Sequence, residues 1–390
     1  MLFTNSSTLS RMKIVTFDHN KLILLSLKKK LSEIGYSTKI ARTSKQAIQL
    51  IEETQPDLVT LDISSSDYSG IDVLKYLKES SSNAKVVIIS EDTEDTDIID
   101  LFDYGIDDFI KKPATLSEIV LRINRIVGLC PIPEELLLKG ESRLVREKCI
   151  GVVIPCYNEE SRLSEVEFKR FVRTNIGYHL CFVNDGSSDG TLEELQALSK
   201  GREDYISVLN CEKNGGKAEA VRLGMLHLAK NTDLKFDYIG FLDADLSTDL
   251  HDFDDLFRTI TASNYKVVSG SRIERMGANI TKQSARKLIS LTINFVIQRI
   301  LGMNFKDTQC GAKILEKDLI PLLFGKKFIT RWLFDVEMFL RLKKKYGEET
   351  KHLICEQPLK RWVHMDGSKL SMRDSLNIAF QLTRIATHYR

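Results

Sequence analysis

The sequence predicts two α/β domains in tandem, and three observations carry that expectation. Short β-branched apolar runs alternate with segments of helical period from Lys13 to Val127, and the alternation starts again at Ile150. Between the two series lies a charged stretch opened by Pro131 and Pro133, which break the preceding helix. In both series acids, lysines and small residues fall at the ends of the apolar runs, where open α/β sheets place their sites. The expected organisation is a first domain at 12–127, a connector at 128–148 and a second domain at 149–390.

Size and composition agree. A chain of 390 residues has room for two or three domains of ~100–200 residues each. At 43% hydrophobic and 28% charged it can bury ordinary cores. A formal net charge of +2 and the lack of any long Lys/Arg block argue against a nucleic-acid partner. The seven cysteines show no Cys-x-x-Cys spacing, which excludes a zinc ribbon or redox pair and fits reduced thiols in the cytoplasm. The N-terminus, MLFTNSSTLSRMK, has no apolar core of a secretory leader. No run approaches the ~18 apolar residues of a membrane span.

In the first series, strands are expected at Lys13–Phe17, Thr38–Ala41, Leu58–Leu61, Val86–Ile89 and Asp108–Ile110. Helices are expected after the first strand to about Ser32, at Lys45–Thr54, and at about 70–79, 95–103 and 115–127. Five such units form one parallel sheet covered on both faces. Its strand ends carry Asp18, Asp62, Ser90 and Lys112. Two carboxylates there can hold a divalent cation, and a nearby Asp can then accept a phosphoryl group. A lysine would pair with the phosphoryl oxygens.

That order of Asp, Asp, Ser and Lys-Pro resembles the receiver domain of two-component response regulators, a flavodoxin-like fold. The resemblance implies that Asp62 is the phosphoacceptor, Ser90 the hydroxyl switch residue, Phe109 the aromatic switch position and Lys112 the conserved lysine. It also implies a sensor histidine kinase as partner. Two departures stand out. Receivers carry two adjacent acids after the first strand, whereas this chain reads Asp18-His19, which implies a weaker Mg²⁺ site. Ser64-Ser65-Ser66 follows where the family has Met-Pro. Phosphorylation of Asp62 and a degenerate receiver used only for docking or dimerisation both stay open.

In the second series, strands are expected at Ile150–Pro155, Leu180–Val183, Tyr205–Leu209, Tyr238–Leu242 and Val267–Ser269. Helices are expected at 164–173, 191–199, 216–229 and 250–262. The strongest strand-end signal is Asp243-Ala244-Asp245, since acids at i and i+2 can both turn toward one Mg²⁺ or Mn²⁺ and so clamp a diphosphate. Alone, Asp-x-Asp is more often a pair of surface acids; the apolar strand before it favours a site. The loop Asn184–Thr191 suits a tight turn opening a helix. Capping accounts for Ser188, Asp189 and Thr191 there, but not for Asp185, which could face a base or ribose edge. Asn214-Gly215-Gly216-Lys217 places glycines and a cation at a helix start, a setting for phosphate, though it is no P-loop.

In order, VIPCYNEE, NDGSSDGT, NGGKAEAVRLG and DADLSTD resemble the family 2 glycosyltransferases of the GT-A fold. GSR at 270–272, DTQCGAKIL at 307–315, RWLFDVEM at 331–338 and RWVHMDGSKL at 361–370 sharpen this toward the polyprenyl-phosphate sugar transferases, the dolichyl-phosphate β-glucosyltransferases above all. The resemblance implies a nucleobase pocket of Pro155, Tyr157, Glu159 and Asp185, with Lys217 near the nucleotide. Asp243 and Asp245 would bracket the metal and diphosphate, with Ser247 beside them. Arg272, Lys313 and Arg331 would hold an acceptor phosphate. It implies a UDP-sugar donor, a polyprenyl-phosphate acceptor and inversion at the anomeric carbon. An anionic acceptor needs little general base; for a neutral hydroxyl, Asp335 is the candidate.

Two segments bear on membranes. The helix expected at 285–301 puts Ile289, Ile293, Val296 and Ile300 on one stripe, which could lie at a bilayer interface or pack on the sheet. The segment 371–390, with Ile378, Leu382, Ile385 and Tyr389 on one stripe, reads as a helix docked on the core. The expected location is cytoplasmic, with peripheral contact at the inner membrane face. The alternative to an active transferase is a receiver-linked signalling or scaffold protein that only binds a nucleotide sugar.

Overall fold

The computed structural model describes residues 12–63, 69–91, 95–127, 144–145, 148–273, 279–280, 284–362 and 372–389. The chain divides into two compact units, the first running to Cys149 and also taking in Arg173–Gly177 and Asp233–Lys235, the second made of the other residues from Ile150 on. Most of the expected connector 128–148, the Ser64–Ser66 departure, and residues 363–370 of the RWVHMDGSKL motif lie outside the described residues.

The first unit holds strands β1 (Lys13–Phe17), β2 (Ser37–Ala41), β3 (Leu58–Leu61), β4 (Lys85–Ser90) and β5 (Asp108–Lys111). They form one sheet in the order β2-β1-β3-β4-β5, every pair parallel. Period-2 alternation divides the strands between two cores: Ile14, Val87 and Ile89 pack on one face, Val15, Phe17, Val86 and Ile88 on the other. Caps set the helix starts. Oδ1 of Asn20 accepts from the Leu22 and Ile23 amides ahead of helix Lys21–Ile34, and Thr43 does the same for Ser44–Thr54. β6 (Ala114–Thr115) pairs antiparallel with β7 (Leu144–Val145), so part of the stretch expected as connector belongs to this unit.

The second unit holds β8 (Ile150–Cys156), β9 (Tyr178–Asp185), β10 (Ile206–Cys211), β11 (Tyr238–Leu242), β12 (Val267–Ser271), β14 (Ala312–Glu316) and β15 (Ile354–Pro358). They form a seven-stranded sheet in the order β10-β9-β8-β11-β14-β12-β15. The short strands β13 (Asn279–Ile280) and β16 (Arg361–Trp362) pair with each other. Sequence reading missed β14 and β15, and β14 runs antiparallel between β11 and β12, so the sheet is mixed. Ile150, Val152, Ile154, Leu180 and Phe182 line one face against Phe253, Phe257 and Ile260 of helix Leu250–Thr261. On the other face helix Lys217–Ala229 packs closely through Gly224: a methyl group there would lie 2.5 Å from Val153 and 2.8 Å from Val183.

In helix Ser284–Leu301 the expected stripe adjoins the buried face. Among its described side chains Ile297 and Leu301 are buried, Ile293 and Ile300 half-buried, Val296 40% and Phe295 57% exposed, while the side chain of Ile289 lies outside the described residues. The C-terminal helix Met372–His388 docks as expected, with Leu382 and Ile385 buried. Among the described residues, no helix is long and apolar enough to cross a membrane.

Candidate functional site

In the second unit the polar residues collect at the ends of β8, β9 and β11. β11 ends at Leu242, and the next three residues put Asp243 and Asp245 at the surface with Ala244 buried between them. The turn is tight: the Leu246 amide bonds the Asp243 carbonyl at 3.4 Å, and Leu246 itself has φ of 51°. Oδ1 of Asp245 accepts from the Ser247 amide at 2.9 Å. Across from this turn stands Gly311, where a Cβ would lie 2.0 Å from Oδ2 of Asp243. Only glycine leaves that carboxylate its place.

Lys217 Nζ sits 2.5 Å from Oδ1 of Asp243. Burial works against its charge, but Asp243, Asp335 and Asp245 outweigh burial and hold the ammonium above its usual pKa. Behind this pair, Lys313 of β14 is fully buried, with Nζ 2.7 Å from Oδ1 of Asp335 and 2.6 Å from the Cys310 carbonyl. Burial raises the Asp335 carboxyl, and Lys313 and Lys217 pull the other way without cancelling the rise.

Asp185 ends β9 and is bound to backbone amides on both oxygens. Its Oδ1 and Oδ2 accept from the amides of Gly215 and Gly216, each at 2.8 Å. The carboxylate thereby fixes the loop that starts the Lys217 helix. Burial lifts its pKa, against those two amides and the charge of Arg331. Gly216 has φ of 86°, and a side chain there would meet the stem of Arg331 at 3.2 Å. The loop of β8 interlocks with that of β9: Ser188 donates its amide to Oδ1 of Asn158, and Thr191 Oγ1 accepts from the amides of Glu159 and Glu160. Pro155 is half-buried, Tyr157 is 37% exposed, and Glu159 is bound to Arg162 at 2.7 Å.

The three expected phosphate-binding cations differ in their positions. Arg331 is exposed, on a turn shaped by Glu337, which is fully buried and accepts from the amides of Ile329 and Thr330. Arg272 is held in a two-point pair with Asp307, Nε at 2.7 Å and Nη2 at 2.8 Å, and its guanidinium lies over the Trp362 ring. Lys313 is fully buried and bonded to Asp335 and to the Cys310 carbonyl. Sequence reading gave no role to Asp307, Gly311, Asn158 or Glu337. The first two stand in or beside DTQCG and the last in RWLFDVEM, so motif membership was their only signal.

The first unit has its own charged pocket. Lys112, 1% exposed, places Nζ 2.9 Å from Asp18 and 3.1 Å from Asp62. His19 Nδ1 lies 3.7 Å from Oδ1 of Asp18 and 3.4 Å from Oδ2 of Asp62. Burial raises the Asp18 carboxyl against the pull of Lys112, and the hydrogen bond to Asp62 raises His19. Ser90 is fully buried, and its hydroxyl has no partner among the described residues. Its carbonyl accepts from the Lys112 amide at 2.8 Å. The four expected residues Asp18, Asp62, Ser90 and Lys112 therefore share one strand-end region.

Known proteins match the chain in two separate spans. A family model described as response regulator receiver domain matches residues 14–124, and one described as glycosyl transferase family 2 matches residues 151–323. A dolichyl-phosphate beta-glucosyltransferase of Drosophila melanogaster is 31% identical over 237 residues, covering 57% of this chain and 69% of that protein. One from Trichomonas vaginalis is 29% identical over 255 residues, covering 62% and 74%. Among solved structures, a CheY-like receiver domain protein of Methanospirillum hungatei is 24% identical, covers 30% of this chain and 95% of its own, and has a TM-score of 0.29.

Proposed function

The chain belongs to the family 2 glycosyltransferases, in the branch of the dolichyl-phosphate β-glucosyltransferases, and from that membership we propose that it moves glucose from UDP-glucose to a polyprenyl-phosphate acceptor with inversion. The observation that carries the reading is the strand-end pair Asp243 and Asp245, with Gly311 making room for one carboxylate and Lys217 beside it. Two hard carboxylates at a half-open turn fit Mg²⁺ or Mn²⁺, with diphosphate and water completing the shell. Such a cation, when bound, offsets the charge of the departing nucleoside diphosphate.

The chain's own residues do the rest. Lys217, paired with Asp243 before donor arrives, is placed to turn to a diphosphate oxygen. Asp185 keeps the Gly215-Gly216 backbone in register for that lysine. Pro155, Tyr157 and Glu159, in and just after β8, would border a bound base. Arg331, exposed and packed on Gly216, is the cation best placed to hold a phosphate. Arg272 is second, with guanidinium donors left over from its pair with Asp307. A lipid phosphate is an anionic nucleophile already, so alignment and charge dominate over proton removal. Asp335 then serves to hold Lys313 and to set the field around Lys217, not as a base.

In the first unit, Asp62 is the proposed phosphoacceptor, Lys112 the cation that meets the phosphoryl oxygens, and a sensor histidine kinase the proposed partner. The acceptor lipid would be met by peripheral contact with a membrane. A screen of radiolabelled UDP- and GDP-sugars against polyprenyl phosphate tests the reading. Glucose transferred from UDP-glucose into lipid supports it. Nucleotide-sugar binding with no product from any pair would leave a receiver-linked binding protein instead.

A further inference from the structure

Arg331 is exposed and carries no ion pair among the described residues, so packing and backbone must fix where its guanidinium starts. Its stem lies along Gly216, where a Cβ would stand 3.2 Å from Cδ and 3.3 Å from Cβ and Cγ of the arginine. Its carbonyl accepts from the Ala218 amide at 3.2 Å, in the first turn of helix Lys217–Ala229. Both contacts require the turn at 329–333 to hold one position against that helix start. A single carboxylate from helix Phe334–Tyr346 holds it there. Oε1 of Glu337 accepts from the amides of Ile329 at 2.9 Å and Thr330 at 3.0 Å, and from the Thr330 hydroxyl at 3.3 Å. Oε2 accepts from the Ile329 amide at 3.0 Å and the Tyr389 hydroxyl at 3.4 Å. The Thr330 hydroxyl also accepts from the Leu333 amide at 3.2 Å, which closes the turn.

A carboxylate is costly to bury unless donors surround it, and hydrogen bonds to an ionised acceptor are the strong ones. Glu337 is fully buried, and the cation paired with it, Arg341, stands 3.8 Å away. That arginine gives its hydrogen bonds to the carbonyls of Leu323, Lys326 and Lys327 and to Tyr389. The Glu337 carboxylate is therefore committed to the amides just ahead of Arg331. We propose that Glu337 is a positioning residue for sugar transfer, fixing the 329–331 backbone so that Arg331 stands ready for the acceptor phosphate. The inference deepens the transferase reading and rests on it, with Arg331 as the phosphate-binding cation.

The test compares the full chain with Glu337→Gln, Thr330→Val, Arg331→Ala and the double variant of Arg331→Ala with Glu337→Gln. Amide hydrogen exchange over 327–333 and 216–220 reads the turn and its contact with the helix start, and needs no activity. Steady-state transfer of glucose from UDP-glucose to polyprenyl phosphate reads the cation. Glu337→Gln keeps the shape but puts an NH₂ group where an oxygen accepts. Exchange in both segments should quicken about tenfold or more, the scale of a lost bond to a charged group, with protection elsewhere in the second unit retained. The KM for polyprenyl phosphate should rise by about the same factor, while that for UDP-glucose stays within about twofold. Thr330→Val keeps the carboxylate and is the milder change, so it carries the test if Glu337→Gln does not fold; it should move the same quantities about 2- to 10-fold. A merely structural role would reduce the active fraction, and with it kcat, and leave KM unmoved. Without the Arg331 side chain, Glu337→Gln should raise the acceptor KM by less than about twofold, because the two residues act as one unit. Exchange and acceptor KM unchanged in Glu337→Gln and Thr330→Val would overturn the proposal, and so would an equal KM rise with and without Arg331. A wild type that transfers nothing would remove the transferase reading instead, and unchanged exchange in Glu337→Gln would still overturn the positioning role.

Discussion

At Gly311 a methyl group would lie 2.0 Å from Oδ2 of Asp243. Gly311→Ala must therefore move the acid of the proposed donor site while touching little else. Transfer should fall on the order of 100-fold, the scale of an ångström-sized misplacement, with the circular dichroism spectrum retained. A variant at full activity would remove Asp243 from the site. Asp307 makes a second, pH-dependent case. Burial alone would raise its carboxyl, but the two-point pair with Arg272 holds it below its ordinary value. Its folded pKa is thus below the unfolded one. The stabilisation is complete above about pH 4, the unfolded value, and is lost as pH falls through the folded value. Asp307→Asn should cost on the order of 3 kcal/mol at neutral pH by leaving Arg272 without its counter-charge. Denaturant melts at several pH values check this: the gap from wild type stays level down to about pH 4.5 and narrows below it.

Individual elements were unevenly legible. The five first-unit strands read directly, because β-branched runs such as Lys13–Phe17 and Val86–Ile89 have no helical competitor. β14 was missed because its centre is Lys313, which reads as a surface residue until Asp335 is seen to neutralise it inside. Helix Ser284–Leu301 was found but its face was not. Ile293, Val296, Ile297, Ile300 and Leu301 share one broad arc with Phe295 opposite, and an arc that broad does not fix which of its edges is buried. The C-terminal helix kept a clean stripe, and Tyr389 just after it reaches Arg341 at 2.9 Å and Glu337 at 3.4 Å. Ile385→Ala should destabilise the second unit by about 2–5 kcal/mol, against about 0.5 kcal/mol or less for Phe380→Ser, since Phe380 is 70% exposed. Calorimetric or denaturant melts of the two variants test whether this helix is docked on the core.

At the scale of the whole chain, the two site regions were legible because their residues fall at strand ends, where sequence order and spatial position coincide. Asp18, Asp62, Ser90 and Lys112 converge as their spacing implies, and so do Asp243, Asp245 and Lys217. What stayed hidden was which charges are already spent. Asp185 holds backbone amides, Lys313 holds Asp335 and Arg272 holds Asp307, and those pairings join residues between 22 and 35 positions apart. A receiver ahead of a transferase also makes a prediction about the chain as one system. A small phosphodonor should change the transfer rate of the wild type, on the order of tenfold for an ordinary coupling energy, and leave that of Asp62→Ala unchanged. Equal responses in the two proteins would remove the regulatory role. The claim beneath all of this is that Asp243 and Asp245 grip the leaving nucleotide through a divalent cation. Its most direct measurement is transfer of radiolabelled glucose from UDP-glucose to polyprenyl phosphate by the full chain, by Asp243→Asn and by Asp245→Asn, each with Mn²⁺ and with chelator. The account predicts product only with wild type and metal, and losses on the order of 1,000-fold in either variant; undiminished transfer in both variants, or in chelator, would contradict it.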